Sequence, residues 1–385
     1  MAETSTKFKK SKFKQESKKI DYFKQQGLKN PYRVKRLIED AIKFNKLDLT
    51  GLVVFTEAAS RNYVVTPIIA GMAGAKVYAI TYDSPYGKAK DVEGFTYNFA
   101  EFCDVRDKIE VIFEKKKIIN QANIITNLGF VRPIDKNFVE MMNEKAVISC
   151  MYEAWEYRKG DIDIKACEHK NIPIMATNED YLGLGVFDFC GPLCIKMLFE
   201  LQIEVYKSKI VIVSRDKFGK VIEKYLKEVG ADVYLIKNLK AEANRRYLED
   251  SDALVVADYT SNDVFIGAEG AQISAKELIE LSRKISVIQF AGDVDINELD
   301  RYNIPYFPQK RIGKFRMGMT LAELGPKPVI DLHCAGLKVG EVMAKARLSG
   351  KSVEEAKRVA LKYSPAQDLN IKYKKKEYMS MKIWK

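Results

Sequence analysis

The turn that follows the apolar residues 210–213 carries the chain's best-defined pattern for binding a phosphate. An apolar strand, a tight turn and an amphipathic helix follow one another here, and residues 233–236 read as the next strand. In the dinucleotide-binding βαβ unit this turn holds three glycines, spaced G-x-G-x-x-G. The three positions are Ser214, Asp216 and Gly219 in this chain. The pattern therefore predicts the fold of such a unit, with only the glycine for helix–strand packing retained.

Asp216 places a carboxylate near the position that a pyrophosphate would occupy. Asn238 stands near the place of the usual ribose-binding acid, and Asp258 and Thr260 follow the next apolar strand. The predicted site for NAD or NADP comprises Ser214, Arg215, Asp216, Gly219, Asn238, Asp258 and Thr260. The alternative is a domain of the same shape that binds another molecule, or none.

Polar residues also follow four apolar strands in the first half of the chain. Because the carboxyl ends of parallel strands meet at one edge of a sheet, we expect these loops to face one crevice. Taken singly, each residue is more typical of a surface or packing position, and Ser60 is equally consistent with an ordinary helix cap. Glu153 is the candidate catalytic carboxylate among them. The predicted substrate-binding residues are Ser60, Arg61, Asn62, Asp83, Asn127, Arg132, Tyr152 and Trp155.

His333 follows the apolar residues 329–332 and precedes Ala335 and Gly336. We interpret residues 329–332 as a strand, which predicts that His333 lies at its carboxyl end, where open α/β sheets bind ligands. Histidine titrates near neutral pH and therefore suits proton transfer. The alternative is a structural histidine that caps the helix after it.

Strands alternate with helical patterns through most of the 385 residues, which indicates an α/β fold with parallel, doubly wound sheets. We expect two such domains, Rossmann- or flavodoxin-like, joined by a long apolar helix at residues 187–201. Residues 31–185 form a predicted flavodoxin-like substrate domain, completed by C-terminal helices within 340–385. Residues 186–339 form a predicted Rossmann-like nucleotide-binding domain. Residues 1–30 are a basic arm.

Composition narrows the classes of function. The net charge is +12, with lysines concentrated in the first twenty residues and at 372–376, and such runs are typical of solvated tails rather than nucleic-acid sites. No apolar run is long enough to span a membrane, and there is no signal-peptide pattern. Six scattered cysteines and two histidines give no metal-site spacing. We expect a cytoplasmic homodimer that binds a small molecule and no metal.

Three segments resemble the formate/glycerate dehydrogenase superfamily, which contains the D-2-hydroxyacid dehydrogenases and, more distantly, S-adenosylhomocysteine hydrolase. The first, GDIDIKACEHKNIPIMATNED (160–180), resembles the end of that family's first half. The second, IVIVSRDKFGK, resembles its cofactor turn. The third, VIDLHCAGLKVGEVM (329–343), resembles the segment with its catalytic histidine. The similarity spans roughly residues 120–345, in the family's order.

The resemblance implies that His333 is the general acid or base. Gly292, a further predicted cofactor contact, and Asp293 occupy the place of the family's substrate-binding arginine, and Glu323 is a substitute for the carboxylate that pairs with the histidine. The implied function is an oxidoreductase acting on a small polar substrate between the two domains, with NAD or NADP. Two alternatives stay open. One is a cofactor-free Rossmann-like protein with a binding, regulatory or non-redox biosynthetic role, and the other is a hydrolase or lyase similar to S-adenosylhomocysteine hydrolase.

Overall fold

Parallel strands form the centre of both halves of the chain in the computed structural model, which describes residues 17–115 and 118–369. Most of the predicted N-terminal basic arm and the whole lysine run at 372–376 lie outside the described residues. The chain divides into two compact units. The first contains the described residues up to Val186 and those from Gly325 onward, and the second is Phe187–Leu324.

The sheet of the first unit has seven strands, six of them parallel, and its order is β15-β6-β5-β4-β1-β2-β3. The short β15 runs antiparallel to β6. The order reverses at β1, so the carboxyl ends of β1 and β4 flank the point where doubly wound sheets bind ligands. The strands are β1 Val53–Glu57, β2 Lys76–Ile80, β3 Ile109–Ile112, β4 Ile124–Thr126, β5 Val147–Ser149, β6 Ile174–Thr177 and β15 Ala366–Gln367.

Helices cover both faces of this sheet. The first helix, α1, is described over residues 17–25 and buries Phe23. Ser352 and Glu355 form a capping box at the start of α13. The other helices of the unit are α2 Pro31–Asn45, α3 Val65–Met72, α4 Ala89–Phe102, α5 Lys136–Met141, α6 Ile164–His169, α12 Pro326–Leu348 and α13 Val353–Tyr363.

Residues 329–332 are not a strand, and the prediction was wrong. They lie in the first turns of α12, a helix of 23 residues that begins at Pro326 after Gly325. A short apolar run has the same appearance in a buried strand and in a helix that is buried on most sides. α12 is of the second kind, because it packs against α2, α3, α13 and three strands of the sheet.

The second unit has a five-stranded parallel sheet with the order β14-β12-β9-β7-β8. A smaller sheet, β11-β10-β13, was not predicted. The strands are β7 Lys209–Val213, β8 Asp232–Ile236, β9 Ala253–Ala257, β10 Val264–Gly267, β11 Ile273–Ser274, β12 Ser286–Ala291, β13 Asp293–Val294 and β14 Tyr306–Phe307. The helices are α7 Cys190–Glu200, α8 Lys217–Glu228, α9 Glu242–Arg245, α10 Ala275–Leu281 and α11 Ile296–Arg301.

The predicted long helix at 187–201 is a 3-10 turn, Phe187–Phe189, followed by α7. Met197 and Leu198 are fully buried. α7 packs closely on α8, since a Cβ on Gly191 would lie 2.3 Å from Cδ2 of Tyr225. Both helices belong to the second unit.

The fold class is confirmed: the chain is α/β, with two doubly wound parallel sheets. We expected a flavodoxin-like strand order in the first half and a Rossmann-like order in the second, and the structure has the reverse. The parallel strands of the first unit follow the order 3-2-1-4-5-6 of the Rossmann fold, and those of the second follow the flavodoxin-like order 2-1-3-4-5. The glycine-type turn in the second half favoured a Rossmann-like order there. Such a turn is a local feature and does not indicate the order of the later strands.

Candidate functional site

The turn between β7 and α8 lies where the strand order of the second sheet reverses, between β7 and β9. Its third fingerprint position is confirmed as a packing glycine. A Cβ on Gly219 would lie 2.5 Å from the Cβ of Ser214 and 2.8 Å from Cδ1 of Leu235. Only glycine therefore allows α8 to approach β7 and β8 this closely.

The carboxylate of Asp216 occupies the amino-terminal end of α8. Its Oδ1 accepts the N–H of Phe218 at 2.9 Å, and its Oδ2 accepts the N–H of Tyr259 at 2.7 Å. Asp216 is thus the N-cap of α8 and also joins the turn to the residues after β9. In the dinucleotide-binding unit, backbone donors at this helix end face the pyrophosphate.

Ser214 takes up further donors of the same turn. Its Oγ accepts the N–H of Gly219 at 3.2 Å and donates to Oδ1 of Asp216 at 3.1 Å. Arg215 directs both its backbone N–H (3.2 Å) and its Nε (2.6 Å) to Oδ2 of Asp258, which is fully buried. The backbone N–H groups of Arg215, Phe218 and Gly219 are therefore satisfied by side chains of this chain.

Burial and the nearby Asp258 carboxylate raise the pKa of Asp216 to about 7. Near neutral pH the group therefore exchanges between a neutral and a charged form. In its charged form the turn does not fit a pyrophosphate, because the donors are occupied and the carboxylate would repel a second anion. The residues that shape the βαβ unit are present, but the residues that would hold the phosphates face inward.

The remaining predicted cofactor residues have local structural roles. The Oδ1 of Asn238 accepts the N–H of Ala241 at 3.0 Å. The hydroxyl of Thr260 donates to Oδ1 of Asp258 at 3.3 Å. Gly292 has a φ of 112°, which favours glycine, and its Cβ position would lie 3.1 Å from the carbonyl oxygen of Asp258. Thr260 and Gly292 thus lie next to Asp258. Asn238 follows the end of β8 and holds the loop after it through Ala241.

The first unit has its own titratable group where its strand order reverses, and sequence reasoning missed it. Glu57 is the last residue of β1, is 6% exposed, and accepts the N–H of Phe130 at 3.0 Å. Burial raises the pKa of Glu57 above its usual range, although the guanidinium of Arg132 lies near enough to oppose this. The available signal was an acidic residue at the carboxyl end of a buried strand.

Three predicted substrate residues lie around this edge. Arg132 donates from one terminal nitrogen to Oδ2 of Asp161 at 2.7 Å, and its buried Nε is without a hydrogen-bond partner. The Oδ1 of Asn127 accepts the N–H of Met151 at 2.7 Å. The buried Oη of Tyr152 lies near Asn127 and Cys150 without the geometry of a hydrogen bond, and burial raises the pKa of its phenol. Unsatisfied buried polar atoms are rare and mark this edge as a candidate ligand site.

The loops after β1 and β2 flank a separate cavity of about 320 Å³. Ser60 lines it, together with side chains of α1 and α4, and does not cap the following 3-10 turn. Arg61 is exposed with a φ of 54°, and Asn62 is half-buried. Asp83 accepts the N–H of Ala89 at 2.9 Å, and a hydrogen bond from Lys88 lowers its pKa. Asp83 therefore braces the start of α4.

Glu153 and Trp155 are paired with each other. The indole Nε1 of Trp155 donates to Oε2 of Glu153, and Oε1 of Glu153 accepts the N–H of Glu179 at 3.3 Å. Glu153 also forms a capping box with Glu156. The carboxylate predicted as catalytic is therefore 3% exposed and engaged in bracing its own loop.

His333 does not lie at the end of a strand, because it belongs to α12. The ring is 3% exposed, and its Nδ1 lies 2.6 Å from Oγ1 of Thr66 in α3. Burial lowers the pKa of His333 to about 3, so the imidazole is neutral at neutral pH. The expected position at a strand end is thus corrected to a buried contact between two helices. His333 does not cap a helix either, because it lies inside α12, whose N-cap is Gly325.

Glu323 belongs to the second unit, whereas His333 belongs to the first. Glu323 is exposed in the 3-10 turn Leu321–Leu324, and its backbone carbonyl accepts a hydrogen bond from Lys196 at 2.6 Å. Within the described parts of the chain, no group of three or more histidine, cysteine or acidic side chains is placed to hold a metal ion. Across the same residues, no helix has the length and apolar character needed to cross a bilayer.

No protein-family model and no curated protein matches the sequence. A dipicolinate synthase component from Bacillus halodurans is a solved structure that matches, with 11% identity, a TM-score of 0.48, and coverage of 78% of this chain and 99% of that chain. An NAD⁺-bound 3-phosphoglycerate dehydrogenase from Entamoeba histolytica is 17% identical, with a TM-score of 0.36 and coverage of 71% and 96%.

A D-lactate dehydrogenase from Treponema pallidum matches with 10% identity, a TM-score of 0.42, and coverage of 78% of this chain and 98% of that chain. Members of the D-2-hydroxyacid dehydrogenase family, which the sequence resembles, are therefore among the solved structures that match.

Proposed function

We propose that the chain is an oxidoreductase-like enzyme that acts on a small polar substrate and uses NAD or NADP bound to its second unit. The geometry of β7, its turn and α8 supports the proposal. The turn lies where the strand order reverses, and Gly219 gives the close helix–strand approach that this type of unit requires. A bound nicotinamide would supply hydride transfer.

The polar edge of the first unit is the proposed substrate site. The guanidinium of Arg132 has a buried Nε free to donate, and Tyr152 offers a buried hydroxyl. Asn127 holds the residue before Tyr152, because its Oδ1 accepts the N–H of Met151. For proton transfer we propose Glu57 in place of His333, because a glutamate with a raised pKa can hold a proton closer to neutral pH.

A second candidate is the cofactor-free alternative, a protein with this fold that binds a small molecule without a dinucleotide. The inward-facing turn favours it, since Asp216 and Ser214 already satisfy the N–H groups of Phe218, Tyr259 and Gly219. In that case the carboxylate of Asp216 always occupies the backbone donors that would otherwise bind a phosphate.

Calorimetric titration with NAD⁺, NADH, NADP⁺ and NADPH separates the two candidates. Binding by the wild-type protein supports the first. Its activity is then screened as absorbance of reduced nicotinamide with a panel of small hydroxy acids and alcohols. If neither the wild-type protein nor Asp216→Gly binds any of the four at acidic or neutral pH, the oxidoreductase proposal is overturned and the cofactor-free candidate stands.

A further inference from the structure

We infer that the Asp216 carboxylate and the pyrophosphate of a dinucleotide compete for the same backbone donors, so that binding to this turn is coupled to the uptake of a proton by Asp216. The inference rests on the proposed function, since it concerns how the second unit binds its dinucleotide. It adds a regulation of that site, in which pH controls the state of the turn.

The competition follows from the positions of the donors. Phe218 lies in the first turn of α8, a helix of 12 residues, and its N–H is directed to Oδ1 of Asp216. The N–H of Tyr259, at the end of the neighbouring β9, is directed to Oδ2. A pyrophosphate bound at this helix end would need the first of these donors. Two anions cannot share them in a buried turn without a large electrostatic cost.

Asp216 is the group that can change charge, because its charged neighbours already have partners. Asp258 is paired with Arg215 at 2.6 Å. Lys217 directs its ammonium over the ring of Phe187, 3.7 Å from the ring centre. Beyond Asp258, next along the sheet edge, Asp293 forms a two-pronged pair with Arg311 at 2.8 and 2.9 Å. Arg215 and Arg311 are thus paired with carboxylates other than that of Asp216.

The protonated form of Asp216 is well populated at neutral pH, since burial and Asp258 raise its pKa to about 7. A neutral carboxyl holds the two N–H groups more weakly and does not repel a phosphate. If only this form binds, the dissociation constant grows with pH above the pKa. It should increase about tenfold between pH ~6 and ~8.

The test is calorimetric titration of the full chain with NAD⁺ at both pH values, in two buffers of different ionisation enthalpy to count protons. NAD⁺ is used because its pyrophosphate keeps its charge across this range. The variants are Asp216→Asn, which cannot ionise, and Asp216→Gly, which frees the donors. The matched control is Asp295→Asn, because Asp295 is also a helix N-cap in the same unit. Circular dichroism confirms that each variant is folded.

The wild-type protein and Asp295→Asn should bind about tenfold more weakly at pH ~8 and take up close to one proton there. The affinity of Asp216→Asn should not change between the two pH values, and neither should that of Asp216→Gly. Asp216→Gly should bind NAD⁺ more tightly than Asp216→Asn. Equal wild-type affinity at both pH values, without proton uptake, overturns the inference and leaves the proposed function intact. Absence of binding by the wild-type protein and by both Asp216 variants overturns the proposed function itself.

Discussion

The imidazole of His333 and the hydroxyl of Thr66 are hydrogen-bonded at 2.6 Å inside the first unit, which joins α12 to α3. Most of α12 is buried, and its acidic side chains have lysine partners on the same helix. Asp331 pairs with Lys327 at 2.6 Å, and Glu341 pairs with Lys338 at 2.9 Å. A buried polar group is tolerated when it is hydrogen-bonded, and His333 belongs to this set of satisfied groups.

His333 should make the stability of the first unit sensitive to acid. Its pKa is lowered to about 3 in the folded chain, so below pH ~6.5 the unfolded state binds a proton that the folded state refuses. Stability from this group is present above pH ~6.5 and is lost as the pH falls toward the folded pKa. Between pH ~7 and ~5 the loss should be about 2 kcal/mol, measured by urea unfolding.

His333→Asn should be less stable than the wild-type protein at neutral pH. Between pH ~7 and ~5, however, it should lose about 2 kcal/mol less stability than the wild-type protein does. His169, the other histidine of the chain, is exposed at the end of α6, and His169→Asn is the matched control. Equal acid sensitivity in all three proteins would show that His333 is accessible and titrates normally, which would restore it as a candidate acid or base.

The elements that the sequence predicted well are strands of continuous apolar residues, such as β7 and β8, which the structure places within one residue of the expected 210–213 and 233–236. The short strands β10, β11 and β13 were missed because two to four residues show no periodicity. The strand predicted at 329–332 failed because it is part of α12, a helix that is buried on most sides. An apolar run without polar alternation does not distinguish these two structures.

The positions of two loops that carry candidate residues were predicted from the sequence, but the contacts of their side chains were not. The turn at 214–219 and the loop at 127–132 do lie at the carboxyl ends of central strands. That Asp216 turns inward depends on the N–H of Tyr259, 43 residues away in the chain, which no local pattern contains. The position of Glu57 at the end of β1 was a local signal, but the hydrogen bond to its carboxylate comes from Phe130, 73 residues away.

Gly340 should be intolerant of substitution because α12 approaches the sheet at this residue. A Cβ there would lie 2.7 Å from Cγ2 of Ile124 in β4 and 3.3 Å from Cβ of Ser149 in β5. Alanine usually stabilises a helix relative to glycine, but overpacking costs ~1–3 kcal/mol. Gly340→Ala should therefore lower the free energy of unfolding by an amount in that range, measured in urea.

Gly94 in α4 is the matched control, because no atom lies within 4 Å of its Cβ position. Gly94→Ala should stabilise the chain by about 0.5–1 kcal/mol, the usual gain in a helix interior. If both variants are stabilised alike, α12 does not approach β4 and β5 as closely as described.

Asp216 should lower the stability of the second unit at alkaline pH. Its pKa is raised to about 7 from an ordinary value near 4, so the folded state holds a proton that the unfolded state has lost. The stabilisation is fully present below pH ~4 and is lost as the pH rises through ~7. Urea unfolding at pH ~5 and ~8 should show a loss of roughly 2–4 kcal/mol in the wild-type protein that Asp216→Asn lacks. If the wild-type protein has the same free energy of unfolding at both pH values, Asp216 is ionised throughout this range.

The hydroxyl of Tyr152 should lower the stability of the ligand-free chain and contribute to ligand binding. Its buried Oη is without a hydrogen-bond partner, and an unsatisfied buried hydroxyl costs about 1–3 kcal/mol. Tyr152→Phe removes that hydroxyl and retains the ring, so the ligand-free chain should become more stable by up to ~1 kcal/mol in thermal unfolding. If Tyr152 contacts the substrate, compounds that raise the melting temperature of the wild-type protein should raise that of Tyr152→Phe less.

Tyr157→Phe is the matched control for the ligand effect, because its Oη already donates to the carbonyl of Ile162 at 3.1 Å. Removal of that hydroxyl should cost about 1 kcal/mol of stability and leave the shift caused by a bound compound unchanged. A Tyr152→Phe variant that is less stable than the wild-type protein would show that the Oη is satisfied inside the fold. The unsatisfied atoms at this edge would then give no support to the proposed substrate site of the first unit.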